Sequence, residues 1–339
     1  MSTETPPLVL TMGEPAGIGG ELSLKAWQAR KDGSAPFFTI DDPERLTDLA
    51  RKLNPDILID AIDHPSEAAA VFANALPVLP LGTSVQATAG KPNPATAGPV
   101  QDSIRRAVDL VREGEAAAVI TNPIQKETMY AAGFAFPGHT EFLASLVDDR
   151  TVPVMMLASP TLRVVPVTIH VSLRKALDIL TTEAIIEAAR VTHRELAGSF
   201  GIARPRLAVA GLNPHAGEGG AMGDEEAQLI APAVEVLRAD GIDVAGPLSP
   251  DTMFTTMARD TYDAAICMYH DQALIPIKTI GFEDAVNVTL GLPFVRTSPD
   301  HGTALDLAGT GRADPASLLA AMDVAAEMAA QRRRHAVAA

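Results

Sequence analysis

Short apolar runs rich in β-branched residues alternate along this chain with longer segments of helical period, and that alternation leaves few folds open. The runs are PLVLTM, APFFTI, DILIDAI, AAAVITN, VPVMMLAS, LRVVPVTIH, RLAVAGLN, DAAICMYH and DAVNVTL. Between them lie QDSIRRAVDLVREGE, SLRKALDILTTEAIIEAARVTHRELAGSF and DEEAQLIAPAVEVLRADG, whose apolar residues recur at the spacing of an amphipathic helix. Strand and helix in alternation predict an α/β fold, an α/β/α arrangement with a mainly parallel sheet and helices on both faces. LGTSVQATAGKPNPATAGP reads as a long loop, followed by a helix starting near Gly98.

A length of 339 residues suggests about two domains. The formal charge of −15 argues against nucleic-acid or anionic-membrane partners, so an anionic substrate would need a locally basic site. Arg332 to His335 form a basic run, read as the solvated end of a helix whose dipole favours cations. The single cysteine, Cys267, excludes a disulfide framework and reads as a small buried hydrophobe in a reducing compartment. MSTETPP has neither the basic nor the apolar region of a signal peptide, and no apolar run approaches the ~20 residues of a membrane span. A cytoplasmic protein is expected.

TMGEPAGIGGE, residues 11 to 21, follows a strand and precedes a helix, the place of a dinucleotide-binding turn. Counting from Gly17 and Gly19, the third glycine of G-x-G-x-x-G falls on Leu22. The stretch therefore fails as that fingerprint, and it lacks the Gly-Lys-Ser/Thr of a P-loop. It reads as a tight turn, with Glu14 and Gly17 expected to face a site.

Ligands of such sheets collect at the carboxyl ends of the strands. His170 closes one apolar run, His215 follows another and His270 closes a third, 45 and 55 residues apart. One histidine there is more often a hydrogen-bonded core residue; three in the same structural position point to a divalent transition metal. Asp271 and Asp251 are available as carboxylates that orient the imidazoles or accept a proton, although either alone could be a cap or turn residue. His139 and Thr140 fall at a helix start, while Lys278, Asn287 and Arg296 sit at or near strand ends. Together these would make a phosphate pocket.

GEPAGIG, PGHTEF, GLNPHAGEGGAMGDEE, YHDQ, PIK and VNVTLGLPFVRTSPDHGTALDLAGTGRAD resemble the 4-hydroxythreonine-4-phosphate dehydrogenase family of pyridoxal phosphate biosynthesis, from about Leu8 to about Met322. The resemblance implies two subdomains like those of isocitrate and isopropylmalate dehydrogenases, not a classical Rossmann fold. They are expected at roughly 1–135 plus 285–339 and 136–284, with a cleft between them. It also implies a homodimer with the active site shared between subunits, a phosphorylated small-molecule substrate, and NAD or NADP as cofactor, whose contacts stay unassigned.

His170, His215 and His270 match the family's ligands for a divalent metal such as zinc, magnesium or cobalt. His139, Thr140, Lys278, Asn287 and Arg296 match its substrate-binding positions. Asp251, Asp271 and Lys278 are the catalytic candidates for removing the hydroxyl proton as hydride passes to the nicotinamide. His301 lies in a matching motif without an assigned role, and His64, His193 and His335 have no counterpart and are read as surface residues. Relatives oxidise four-carbon phosphorylated sugar acids or a cyclic dihydrodiol dicarboxylate. From other classes, a zinc hydrolase would need no nicotinamide, and a metabolite sensor would not turn over.

Overall fold

Each of the nine apolar runs contains a strand, and three further strands come from stretches with proline or polar residues. The computed structural model describes residues 5–29, 34–148, 151–281 and 284–338. In chain order the strands among these are β1 (Leu8–Thr11), β2 (Phe37–Asp41), β3 (Ile59–Ala61), β4 (Leu76–Pro80), β5 (Val119–Ile120), β6 (Val154–Ser159), β7 (Leu162–Thr168), β8 (Arg206–Ala210), β9 (Asp243–Leu248), β10 (Ala264–Tyr269), β11 (Val286–Leu290) and β12 (Arg296–Pro299). The chain divides into two compact units, Met1–Thr151 with Leu292–Ala330 and Val152–Gly291 with Gln331–Ala339.

In the first unit the strand order is β3-β4-β2-β1-β5-β12, and every pairing is parallel. Parallel strands need helical crossovers that cover both faces, which is why β1, β2 and β5 are buried throughout. The helix Ala97–Arg112 turns Val100, Ile104, Ala107 and Val108 into the core that holds Val9, Phe38, Ile40 and Val119. Full burial of each larger side chain contributes about 1.5–3 kcal/mol. Ser103 adds a polar hook there, its Oγ accepting from Met12 N and donating to Ile40 O, both at 2.9 Å.

In the second unit the order is β11-β6-β7-β10-β8-β9. β7, β10, β8 and β9 are parallel neighbours, whereas β6 runs antiparallel to both β7 and β11. Only Pro160 and Thr161 join β6 to β7, too few residues for a crossover, so this pair must reverse direction. The long helical segment after His170 is two helices, Leu173–Ile179 and Thr182–Gly198. Leu180 and Thr181 are extended between them, and the Thr181 side chain accepts from Ala184 N to cap the second. The segment after Asp224 also changes pitch: Glu226–Ile230 winds as a π-helix before the α-helix Ala231–Ala239. No helix among the described residues is long and apolar enough to cross a membrane.

The strand order matters most at one rim. β10 lies between β7 and β8, so the chain segments leading to His170, His270 and His215 start from three adjacent parallel strands.

Candidate active site

His270 is the first residue of the helix His270–Ile280, immediately after β10. Its Nδ1 lies 2.7 Å from Asp271 Oδ1. Donation of Nδ1–H to that carboxylate leaves the Nε2 lone pair outward, the usual arrangement of a metal-binding imidazole with an orienting carboxylate. The His170 ring is beside it, with centroids 5.7 Å apart. His215 stands on the Pro214–Gly220 loop, its Nδ1 3.8 Å from Asp251 Oδ2, while Asp251 Oδ1 accepts from Ser249 Oγ at 2.6 Å. At 3.8 Å the His215–Asp251 contact is electrostatic rather than a hydrogen bond.

His170 and His215 both have left-handed backbone, with φ of 53° and 54°. Such conformations cost non-glycine residues about 1–3 kcal/mol and concentrate at functional sites. The His215 loop is left-handed for five residues, through Ala216, Gly217, Glu218 and Gly219. Glu226 braces it. Its Oε1 accepts from Leu212 N and Asn213 N, both at 2.7 Å, and its Oε2 from Asn213 Nδ2 at 3.0 Å. Burial alone would raise the Glu226 pKa, but the hydrogen bonds from Asn213 and Leu212 outweigh it and hold the carboxyl below its ordinary value. Among the described residues, no three His, Cys, Asp or Glu side chains of one chain are gathered closely enough to hold an ion. The donor set still suits one: imidazoles at neighbouring strand ends, with carboxylates beside two of them.

Lys278 and Asn287 are half-buried in this second unit, Lys278 on the helix begun by His270 and Asn287 in β11. His139, Thr140 and Arg296 belong to the first unit. Arg296, at the start of β12, is only 3% exposed, and its Nη2 donates to Thr121 Oγ1 at 2.6 Å. Burial lowers its pKa to about 10, partly offset by the nearby Glu141 carboxylate, so the guanidinium remains charged at neutral pH. His139 begins the helix His139–Ser145, followed by the half-buried Thr140. Its Nε2 is shut off from solvent and has no hydrogen-bond partner among the described residues. Burial first, then the positive charges of Arg296 and Lys126, press the His139 pKa well below its ordinary value. Lys126 lies close above this helix start, since a Cβ on Gly138 would sit 3.8 Å from its Nζ. A neutral imidazole with an orphaned ring nitrogen, a buried guanidinium and an ammonium form an anion-seeking group.

The turn after β1 lies elsewhere in the first unit. Gly17 lines a cavity of about 340 Å³ together with Pro15, Arg45, Ser84, Ala87 and Gly309. Glu14 is turned inward instead, 2% exposed, with Oε1 accepting from Ala16 N at 3.0 Å; burial raises its pKa against that bond and the nearby Arg45. Glu21 and Lys25 fasten the cavity's far wall. Glu21 accepts from Ala313 N at 2.9 Å, and Lys25 donates to Gly311 O and Ala313 O at 2.7 and 2.5 Å. His301 donates Nδ1–H to Gly302 O at 2.9 Å, and its Nε2 is enclosed without a hydrogen-bond partner among the described residues.

A family model described as pyridoxal phosphate biosynthetic protein PdxA matches residues 34–325. The chain belongs to the PdxA family. A curated relative from Bradyrhizobium diazoefficiens, named 4-hydroxythreonine-4-phosphate dehydrogenase, is 56% identical over 96% of this chain and 97% of its own length. The crystal structure of the enzyme of that name from Klebsiella pneumoniae superposes with a TM-score of 0.86 at 39% identity, covering 96% of this chain and 99% of its own. A terephthalate 1,2-cis-dihydrodiol dehydrogenase from Burkholderia xenovorans superposes with a TM-score of 0.64 at 27% identity, over 96% and 98%. As a PdxA-family chain the protein is an oxidoreductase of pyridoxal phosphate biosynthesis, and dehydrogenation in the family implies a nicotinamide cofactor.

Within this PdxA-family chain the sequence reading left out three polar residues. Lys126 is exposed, and only the fold brings its Nζ close to Gly138. Glu226 was one of two adjacent glutamates in GDEE, and nothing in the string says which turns inward. Gln272 lies in the YHDQ motif but had no role; it accepts from Met268 N at 2.6 Å and donates to Gly211 O at 2.7 Å. Cys267 is buried and its thiol pKa is raised by that burial. His64 and His335 are exposed, whereas His193, expected on the surface, is half-buried. The basic run does lie near the end of the helix Ala316–Ala338, with Arg333, Arg334 and His335 exposed, while Arg332 donates to Glu195 Oε2 and Ser199 Oγ at 2.8 Å.

Proposed function

We propose that this protein oxidises 4-phosphooxy-L-threonine (4-hydroxythreonine 4-phosphate) with NAD⁺ or NADP⁺ to 2-amino-3-oxo-4-phosphooxybutanoate. That β-keto acid loses CO₂ to give 3-amino-2-oxopropyl phosphate. The observation that carries the reading is the enclosed Nε2 of His139 beside the buried Arg296, with the exposed Lys126 ammonium near the same helix start, a cationic group suited to a phosphate dianion. In the reaction, Arg296 and Lys126 supply charge to the phosphate, and His139 and Thr140 supply hydrogen bonds. Lys278 and Asn287 complete the substrate contacts.

His170, His215 and His270 would hold a divalent cation such as zinc, magnesium or cobalt, which when bound polarises the substrate hydroxyl and later the ketone. Asp271 fixes the His270 tautomer, and Asp251 steadies His215 electrostatically. Proton removal from the hydroxyl falls to Asp251, Asp271 or Lys278, the three groups we assign as candidate bases beside it. The cavity beside Gly17 and Gly309 is where we seat the adenosine half of the cofactor. It lies beyond the carboxyl ends of β1 and β2, and Asp42 and Glu44 in its lining suit ribose hydroxyls.

The working form we propose is a cytoplasmic homodimer. Val171, Leu173 and Leu177 directly after His170, and Ile275 and Ile280 on the helix of His270, are exposed large apolar residues suited to a second copy of the chain.

The test is NAD(P)H formation from 4-phosphooxy-threonine before and after chelation, alongside 4-phospho-erythronate and a cis-dihydrodiol dicarboxylate. Turnover of the first substrate, lost on chelation and restored by a divalent metal, is expected. Preference for the dihydrodiol, or no turnover with any divalent metal, refutes the reading.

A further inference from the structure

One buried carboxylate in the second unit has no part in the reaction above. Glu226 is 6% exposed and begins the π-helical segment Glu226–Ile230. A π turn inside a helix is uncommon and often marks a functional site. Here it accompanies two successive carboxylates aimed at one loop, since Asn213 Nδ2 donates both to Glu226 Oε2 and, at 2.7 Å, to Glu225 Oε2. The other Glu226 oxygen holds the N–H groups of Leu212 and Asn213, three and two residues before His215. The loop is also pressed onto this carboxylate. A Cβ on Gly217 would stand 2.7 Å from Glu226 Oε2, and Gly217 has a φ of +79°. His215, Ala216 and Glu218 are left-handed without being glycine, a conformation that persists only where the surroundings over-determine it.

A second tie runs to the neighbouring histidine. Gln272, two residues past His270, donates to Gly211 O and accepts from Met268 N at the end of β10. The chain entering the His215 loop is therefore fixed to the strand that presents His270, and the next two residues are fixed to Glu226.

We propose that Glu226 is a positioning residue for the metal, fixing the chain at Leu212 and Asn213 and bracing the left-handed His215–Gly219 path so that the His215 imidazole is presented as a ligand. The inference rests on the reading of His215 as a metal ligand. Groups that orient a metal-binding histidine typically matter 10–100-fold in metal affinity.

The experiment measures Zn²⁺ affinity by competition with a chromophoric chelator, and the visible spectrum of Co²⁺, on the full chain freed of metal. Wild type, Glu226→Gln, Glu226→Ala and His215→Ala are compared, with circular dichroism to establish folding. Glu226→Gln keeps an oxygen for the two backbone N–H groups and should weaken binding about 10-fold; Glu226→Ala should weaken it toward 100-fold. Both should retain wild-type secondary structure but show an altered Co²⁺ spectrum, and saturating metal should restore kcat. A folded Glu226→Ala protein with wild-type affinity and spectrum overturns the positioning role. If that variant does not fold, the same outcome in Glu226→Gln overturns it. Wild-type metal affinity in His215→Ala overturns the metal reading itself, a different failure.

Discussion

His139 gives the proposed phosphate pocket a measurable pH signature. Its imidazole is held neutral in the folded protein by burial and by the charges of Arg296 and Lys126, so its folded pKa lies well below the ordinary value near 6.5 of the unfolded chain. Above about pH 6.5 neither state binds a proton there, and the residue contributes nothing to the pH dependence of stability. Below it the unfolded chain takes up a proton that the folded chain refuses, so stability falls as pH falls, by about 1.4 kcal/mol per pH unit until the folded pKa is reached. Between pH 6.5 and 5.5 the wild type should therefore lose up to about 1.4 kcal/mol more than His139→Gln, which has no proton to bind.

Denaturant unfolding at the two pH values gives that difference, and the ¹³C-labelled imidazole signal of His139 gives the titration directly. Inorganic phosphate should reverse the effect: a dianion beside the ring favours the imidazolium, raising the His139 pKa and flattening the slope. A His139 signal that titrates at or above 6.5 in phosphate-free buffer, or parallel stability losses in wild type and His139→Gln, would refute the reasoning.

Arg296→Lys keeps the charge but loses the planar fork that reaches Thr121; KM for the phosphorylated substrate should rise about 10-fold or more in steady-state assays, with a smaller change in kcat. Gly217→Ala places a Cβ 2.7 Å from Glu226 Oε2 at a φ of +79°, and calorimetric titration with Zn²⁺ should show weakened binding in a protein of near wild-type helix content. Ser103→Ala removes the hydroxyl shared by Met12 N and Ile40 O and should cost about 1–3 kcal/mol in denaturant unfolding, without altering KM.

Much of the architecture is legible in the order of the apolar runs, because parallel strands buried on both faces leave unbroken hydrophobic stretches. The strands missed are instructive. β9 contains Gly246 and Pro247 and is tolerated at the edge of its sheet, where fewer backbone donors are needed. β12 reads as polar, RTSP, yet all four residues are buried, since Arg296 is bonded to Thr121 and Thr297 to Ala321 O. Those partners lie 175 and 24 residues away. The break at Leu180 was hidden because a helical period continues through it while Thr181 starts a new cap.

At the site, the strand-end positions of His170, His215 and His270 could be read because a β-strand followed by a polar residue is a local pattern. The contacts of Lys126, Glu226 and Gln272 could not, because they depend on which of several similar side chains turns inward after the loops close. Glu14 shows the same limit in reverse: its carboxylate satisfies the turn it belongs to.

The first unit's sheet takes its last strand, β12, from beyond the whole β6–β11 sequence. On a ribosome, Val119 and Ile120 of β5 emerge long before their partners Arg296 and Thr297 are made. The six strands of the second unit are all synthesised in that interval, so its sheet can close while the first unit still exposes one edge. Arg296 is thus a late arrival, and His139 and Lys126 wait for it. A chain truncated before β12 would keep the strands that lead to the three histidines but lack the guanidinium that belongs beside His139.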